Sequence, residues 1–538
     1  MNEKTHCLPK SKKRVAVIGG GWAGLYALKF TLEDGHDSVL FEQSDHIGGI
    51  WHYNEDKPGG VWRNAYATSS KTYLHASDFR MPDEVPLFPH HSHILEYLKS
   101  YTNHFNLWPH ICLGHKVETV LKDGDEWLIT VTTGHEKITR PFDAVIVCVG
   151  QAQVPNYPSD EMYTRFSGPT MHSHEYKYPT KEMEGKVILV IGGGESASDI
   201  ANEVSSVGSR VYMSIRKGLW FLERHTGARL PFDIRFSRKA RYFVGDYGSH
   251  LIPITIFEKM IALTLGQAGH GINEWIPTVP LMRSVINKSR AVLEKITLGK
   301  VIPKSDVRDI KGQLIWFKDS DEPVNVDMII YATGFRRHMP FFVEPRPAIA
   351  YKHIFDPLDP TLAYVGTVRP VFGSIVALAE LQARWVSAVF SGRCHLPSND
   401  LMMKEIQADI TRHRKLFPAH HDRLPHLVSH FEYADYILHQ LGAQVNWPYL
   451  FFTNNKKWRT LMSAPWTPFE VLLNDPKKNE QAYKNICQEY ALKSRKGRPS
   501  LFRFMVFILT SLFMSAFGMF YIIAKLIRKS VTSIKYKK

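Results

Sequence analysis

The chain has 538 residues, 44% of them hydrophobic and 22% charged; this composition excludes a mainly disordered protein and allows two or three compact cores. Its net charge is +15, but eleven basic residues and no acid occur from Lys493 onward, which leaves +4 for everything before. The basic character therefore belongs to the tail, and a nucleic-acid-binding body is disfavoured.

From the N-terminus, Met1 to Lys13 is polar and charged and lacks the apolar core of a secretory signal. Cys7, Cys112, Cys148, Cys394 and Cys487 are widely separated, so no disulfide framework or CxxC site can be read, and a reducing, cytosol-facing compartment is expected. The first informative stretch runs from Arg14 to Gly24, where an apolar strand ends in Gly19-Gly20-Gly21-Trp22-Ala23-Gly24 and passes into a helix. In this strand-turn-helix unit Gly19 permits the turn, Gly21 lets backbone approach a pyrophosphate, and Gly24 lets the helix pack on the strand. A second strand, Val39 to Phe41, ends in Glu42, a carboxylate placed to accept hydrogen bonds from an adenosine ribose. His90, His91 and His93 fall in a Pro-flanked stretch that reads as a solvated loop.

The unit then recurs. Val187 to Ile191 runs into Gly192-Gly193-Gly194-Glu195-Ser196-Ala197, with Ser198 and Asp199 continuing the helix, and the strand Arg210 to Ile215 ends in Arg216-Lys217. Cations where the first unit has Glu42 suit a 2′-phosphate. The pair reads most simply as one site for FAD and one for NADPH, and hence as an oxidoreductase. The expected fold class is α/β, with two Rossmann-like dinucleotide-binding domains. The FAD domain spans 1–165 and resumes over 336–495 with a C-terminal cap, while the NADPH domain, 166–335, is inserted within it. Two apolar runs into glycine, Asp143 to Gly150 and Asp327 to Gly334, read as linker strands at the crossings. A helical insertion is expected at about 218–300, with apolar spacing through Ile254, Ile256, Met260 and Leu263, and a helical cap or membrane-facing surface over 395–490. Apart from the duplicated nucleotide unit no internal repeat is evident.

At the far end, Phe504 to Ala524 is a charge-free run of 21 residues, which as a helix spans about 30 Å and matches a bilayer core. Basic residues flank it on both sides, so orientation is not decided by charge. Spanning the bilayer and lying in its interface both remain open. Membrane lipid is an expected partner.

With these motifs in place, the sequence from about Arg14 to Asp475 resembles the flavin-containing monooxygenases, the class B flavoprotein monooxygenases. The most specific element is Phe166-Ser-Gly168-Pro-Thr-Met-His172-Ser-His-Glu-Tyr176, which fits the FxGxxxHxxx(Y/F) signature. Supporting segments are Phe41 to Trp51, Ser77-Asp78-Phe79, Ala332-Thr333-Gly334 and Glu380-Leu381-Gln382-Ala383-Arg384-Trp385. The resemblance implies FAD reduction by NADPH and N- or S-oxygenation of a small lipophilic nucleophile by O2 through a C4a-hydroperoxyflavin. It also implies an endoplasmic reticulum membrane location with the catalytic body toward the cytosol. Baeyer-Villiger oxygenation of ketones and an NADPH oxidase releasing hydrogen peroxide are the alternatives. The residues carried over are Gly19, Gly20, Gly21, Trp22, Ala23, Gly24, Glu42, Ile50 and Trp51 toward FAD, and Gly192, Gly194, Ser196, Ala197, Ser198, Asp199, Arg216 and Lys217 toward NADPH. Thr68, the catalytic candidate, and Ser69 lie between flavin and nicotinamide. One departure stands out: the family's asparagine before Ser-x-Lys is here Thr68, in Ala67-Thr68-Ser69-Ser70-Lys71, which offers a single donor where a carboxamide offers two. His172 reads as a structural histidine, since the signature fixes domain geometry.

Overall fold

The computed structural model describes residues 12–226, 230–236, 272–277, 279, 284–289, 291–371, 373–418 and 421–494. Two five-stranded parallel sheets organise it. In the first, the strand Arg14–Ile18 is central, flanked on one side by Asp37–Phe41 and then Ile111–Cys112, and on the other by Ala144–Val147 and then Leu362–Tyr364. In the second, Val187–Ile191 is central, flanked by Arg210–Ser214 and Val301–Lys304 on one side and by Met328–Tyr331 and Thr170–His172 on the other. The strands of the second sheet fall, in sequence, between two neighbouring strands of the first. Every central strand is almost wholly buried and reads as a continuous apolar run, as a parallel sheet covered on both faces requires.

The repeat is longer than the glycine unit that the sequence displays. Each half also contains a three-stranded antiparallel meander ahead of the strand that runs into glycine. These are Lys116–Asp123, Glu126–Thr133 and Glu136–Phe142 in the first half, and Val307–Lys311, Leu314–Phe317 and Val324–Asn325 in the second. Sequence inspection misses it because the two meanders share a hydrogen-bond pattern but no glycine signature. The two expected linker strands are core strands of their sheets. Their continuations, Val154–Pro155 and Phe335–Arg336, pair antiparallel with each other, so the chain crosses between halves through one short ribbon.

Three helices hold the first half together. Trp22–Glu33 packs on Ile375–Phe390, and both share a core with His91–His104 through Leu25, Tyr26, Leu98, Tyr101, Leu378 and Trp385. The histidine stretch read as a loop is in fact a helix start: His90 caps it by accepting from Ser92 N, and His91 is buried. The apolar periodicity of Ile94, Leu98 and Tyr101 outweighs the flanking prolines. Beyond residue 395 the described chain is mainly helical, with Asn399–Leu416, His430–Gln440, Trp447–Thr453, Asn455–Ser463 and Asn479–Ser494. Most of the expected insertion, including Ile254 to Leu263, and the whole of 504–524 lie outside the described residues.

A buried network of charges joins these helices. Lys29, 2% exposed, donates to Asp78 Oδ2 at 2.6 Å, and Arg384 lies 3.6 Å from the same carboxylate. Arg384 Nε donates to Glu380 Oε1 at 3.1 Å and its Nη2 to Ser77 Oγ at 2.6 Å, while Glu380 Oε2 accepts from Ser77 N at 2.9 Å. Burial pushes Asp78 upward, but the charges of Arg384 and Lys29 outweigh it and hold the carboxyl below its ordinary range. Removing one member leaves a buried charge without its counterion, which costs about 3–5 kcal/mol. Asp78→Ala is therefore expected to lower unfolding free energy by that order in urea titration of the full chain; a loss below about 1 kcal/mol, the level of an exposed ion pair, would show that the network is not what joins the helices.

Candidate functional site

The two glycine turns are built alike. Gly19 has φ 107° and Gly192 φ 144°, and a side chain on either would strike the carbonyl that ends the adjacent strand, Cys148 O or Ala332 O respectively. Only glycine fits both demands. Gly19 N donates to Phe41 O at 2.8 Å and Gly192 N to Ser214 O at 3.1 Å, tying each turn to the end of its neighbouring strand. Gly24 packs so closely on Gly19 O that a Cβ there would collide with it. Its counterpart Ala197 is tolerated, and buried, in the second half.

Gly21 and Gly194 are the N-caps of Trp22–Glu33 and Glu195–Val204, both in extended conformation and neither with a side-chain cap. Around Gly194 a Cβ would meet nothing within 4 Å, and around Gly21 only Gly49 Cα at 3.8 Å. Each helix thus presents first-turn N–H groups, which have no intrahelical partner, to open space. That arrangement accepts a phosphate. The loop carrying Ile50 and Trp51 closes over the first turn, with Gly48 N donating to Gly20 O at 2.9 Å; Ile50 is 51% exposed and Trp51 half-buried. Ala23 lies against Gly366, just past the returning strand, whereas Trp22 is buried against Tyr97.

Glu42 is buried and its carboxylate is engaged by the turn itself. Oε2 accepts from Gly20 N at 2.5 Å, and Oε1 from Ser44 N and Ser44 Oγ at 2.8 Å each. A carboxylate has about four acceptor sites, so capacity for a ribose hydroxyl remains. Arg216 and Lys217 stand exposed just past the end of Arg210–Ser214, one and two residues beyond the buried Ile215, which occupies the position that Glu42 holds in the first half.

In the second helix Ser196 is half-buried beside the turn, whereas Ala197 and Ser198 turn their side chains into the core. Both are wholly buried, on the stripe that includes Ala201 and Val204, and Ser198 Oγ accepts from Asn287 Nδ2 at 2.7 Å. Helical periodicity turns them inward, leaving backbone N–H as the group that Ala197 can offer. Asp199 likewise is held by Ser289 Oγ and faces a cavity of about 530 Å³ that it shares with Asn202, Glu203, Asn64 and Tyr66. Burial raises the carboxyls of both Asp199 and Glu203.

Thr68 and Ser69 are half-buried at the N-terminus of Ile375–Phe390. Ser69 Oγ approaches Gly373 O at 3.4 Å, next to the Ser374 cap, which accepts from Val376 N and Ala377 N. The segment is pinned on its far side by Lys71, whose buried Nζ donates to Pro82 O, Asp83 O and Val85 O at 3.0, 2.8 and 2.6 Å. Nine residues further on, Ser77 and Asp78 enter the buried charge network. The signature from Phe166 to Tyr176 lies between the halves: His174 O accepts from Gly59 N at 2.7 Å, and Lys177 O accepts from Arg63 N at 2.9 Å. His172 is fully buried, with Nδ1 accepting from His174 N at 3.1 Å.

Sequence reasoning did not single out Arg337, Arg369, Arg423, His353 and His426, which gather where the returning strand meets the crossing ribbon. Arg337 Nη2 donates to Thr367 O, whose carbonyl also accepts from Gln151 Nε2 at 3.0 Å. They are spread over ninety residues and carry no spacing signal; only the fold collects them.

The sequence model of the flavin-binding monooxygenase-like family matches residues 12–528. The chain is 32% identical over 513 residues to the N-oxide-forming dimethylaniline monooxygenase 2 of Macaca mulatta, covering 90% of this chain and 94% of that one. To flavin-containing monooxygenase 5 of Rattus norvegicus it is 31% identical, covering 88% and 91%. Among solved structures it shares the fold of the S-allyl-L-cysteine S-oxygenase from Allium sativum, with a TM-score of 0.63, 21% identity, and 89% of this chain and all of that one covered. Cyclohexanone monooxygenase with bound epsilon-caprolactone has the same fold at a TM-score of 0.59 and 16% identity, covering 80% and 98%. Two glycine turns of the same build, each opening a helix toward free space, and these matches over nearly the whole length lead to one conclusion: the chain belongs to the flavin-binding monooxygenase-like family and is an FAD-containing, NADPH-dependent monooxygenase.

Proposed function

We propose that this protein oxygenates nitrogen or sulfur in small lipophilic nucleophiles, with FAD held at the first glycine turn and NADPH at the second. The observation that carries the assignment of the two sites is a chemical difference: the Glu42 carboxylate directly follows the second strand of the first half, whereas the exposed Arg216 and Lys217 follow the corresponding strand of the second half, just past Ile215. A free ribose suits the former and a 2′-phosphate the latter. On this reading residues 1–165 and 336–495 form the FAD domain, and 166–335 the NADPH domain.

Backbone N–H groups of Gly20, Gly21, Trp22 and Ala23 would receive the FAD pyrophosphate, Glu42 its ribose, and Ile50 and Trp51 would cover it. Gly192, Gly194, Ser196 and the N–H of Ala197 would do the same for NADPH. When bound, FAD reduced by NADPH supplies the activation of O2 and the transfer of one oxygen atom to the substrate. What this chain contributes is position and polarity: the Thr68 hydroxyl and Ser69 stand at the N-terminus of Ile375–Phe390, held there by Lys71 below and by the approach of Ser69 Oγ to Gly373 O. A threonine hydroxyl can donate only one hydrogen bond at this place, which supports some loss of reducing equivalents to hydrogen peroxide. With purified enzyme, NADPH, O2 and a tertiary amine or thioether, N-oxide or S-oxide is the expected product. Thr68→Asn is expected to raise the amount of oxide formed per NADPH consumed. Peroxide as the sole product would leave the protein an oxidase, and a lactone from a cyclic ketone in place of the oxide would make it a Baeyer-Villiger enzyme.

We further propose association with an intracellular membrane, the endoplasmic reticulum, with the catalytic body toward the cytosol. The charge-free run 504–524 supports it from the sequence; among the described residues no helix is long and apolar enough to cross a bilayer. Supporting a surface contact, Trp447–Thr453 and Asn455–Ser463 expose Tyr449 (66%) and Phe452 (83%) beside Lys456 and Arg459, with no acid between Asp435 and Glu470. Aromatic and basic groups together favour an anionic lipid interface. The full chain is expected to float with phosphatidylserine-containing vesicles. A chain ending at residue 494 should bind them weakly, and less again with Phe452→Ser; a full chain left in the soluble fraction would sink the proposal.

A further inference from the structure

A carboxylate of the second half reaches the segment that carries Thr68 and Ser69. Asp233 lies in the chain between two strands of the second sheet, Arg210–Ser214 and Val301–Lys304, in the first turn of the short helix Phe232–Phe236. Its Oδ2 accepts from Ser70 N at 2.6 Å, a bond between residues 163 positions apart. Two further observations dock the same stretch on the first half. The rings of Phe88 and His225 meet edge to face with centroids 4.9 Å apart. Arg224 and His225 also line the cavity of about 530 Å³ together with Asn64 and Tyr66. The helix belongs to that docked stretch, since Phe232 N donates to Arg224 O at 2.8 Å.

The bond falls where the segment is otherwise least constrained. Ala67 N and Lys71 N donate to Pro89 O and Leu87 O at 2.8 Å each, which fixes both ends of the stretch, and Lys71 Nζ adds its three carbonyl bonds. Thr68, Ser69 and Ser70 bridge these two fixed points. The peptide plane that carries Ser70 N also carries the Ser69 carbonyl, so a bond that fixes this plane fixes ψ of Ser69 and with it the aim of the side chains at 68 and 69. Ser70 is fully buried, and a carboxylate acceptor makes the bond to its N–H about twice as strong as a neutral one. Asp233 is itself held, because its Oδ1 accepts from Ile234 N at 2.8 Å. Removing the carboxylate would leave a buried donor without its acceptor, at the full cost of its desolvation.

We propose that Asp233 is a positioning residue for oxygen transfer: by holding the Ser69–Ser70 peptide it aims Thr68 and Ser69, and it makes their aim depend on the second half being docked on the first. This rests on Thr68 and Ser69 lying beside flavin and nicotinamide. Each NADPH oxidised either places one oxygen atom of O2 on the substrate, the other leaving as water, or is spent on hydrogen peroxide. Hydroxyls at 68 and 69 that are no longer held shift this division toward peroxide. A residue of the inserted stretch thereby completes a site whose other members come from the first half.

The test measures oxide and peroxide formed per NADPH consumed by the FAD-loaded full chain with a thioether. Asp233→Ala is expected to lower the ratio of oxide to peroxide about tenfold, the factor that loss of one charge-assisted hydrogen bond at the oxygen-transferring step allows. FAD content should not change, and Asp233→Asn, whose carboxamide oxygen accepts the same N–H, should recover most of the loss. Should Asp233→Ala not fold with FAD, Asp233→Glu is read in its place; it keeps the charge, moves the oxygens by one methylene and should lower the ratio as well. Oxide and NADPH consumption falling in proportion, with the ratio unmoved, would show a purely structural role and overturn the assignment. Equal losses in Asp233→Asn and Asp233→Ala would overturn it too, because the bond to Ser70 N would not be what acts. Thr68→Ala separates the two readings: if it lowers the ratio and the Asp233 variants do not, this inference alone fails, and if it has no effect, the placement of Thr68 and Ser69 fails and this inference falls with it.

Discussion

The pairing of Lys29 and Arg384 with Asp78 and Glu380 in the interior is the constraint on which the site depends. Lys29 belongs to the helix opened by the first glycine turn, Asp78 to the segment that carries Thr68 and Ser69, and Glu380 and Arg384 to the helix whose N-terminus those residues face. Desolvated charges tolerate little displacement, because each partner that moves away leaves its counterion unpaired. Three pieces that carry candidate site residues are thus fixed by a few short contacts in the interior. Apolar packing alone would hold the helices together but would leave their mutual height less well defined.

Above this base the molecule uses one design twice. Both halves place a glycine of positive φ beside the end of a neighbouring strand, open a helix toward free space, and add a meander before the strand that leads to the crossing ribbon. What differs is the charge that follows the second strand, a carboxylate in the first half and two cations in the second. The signature from Phe166 to Tyr176 lies at the seam, where His174 and Lys177 hold Gly59 and Arg63 of the first half. Its burial and its backbone contacts explain why a histidine there serves geometry rather than proton transfer.

The glycine turns were legible because a tight turn packed against a neighbouring strand end admits so few residue types that the sequence displays the requirement directly. Ala197 and Ser198 turn their side chains inward because helical rotation points these two positions at the core, which leaves backbone at the turn. The histidines at 90 to 93 misled because local proline content was weighed above the apolar periodicity that follows them. The second meander was invisible because antiparallel pairing tolerates many sequences.

By itself, then, the sequence determined two glycine-turn units, their order and the opposite charges that follow their second strands, since each depends on residues close together along the chain. Tertiary structure alone decided which distant groups meet: Asp78 with Lys29 and Arg384, Ser69 with Gly373, and Arg337 with Thr367. Contacts of that kind are set by the closing of sheets and the packing of helices, and residues separated by up to three hundred positions leave no periodic trace of their meeting.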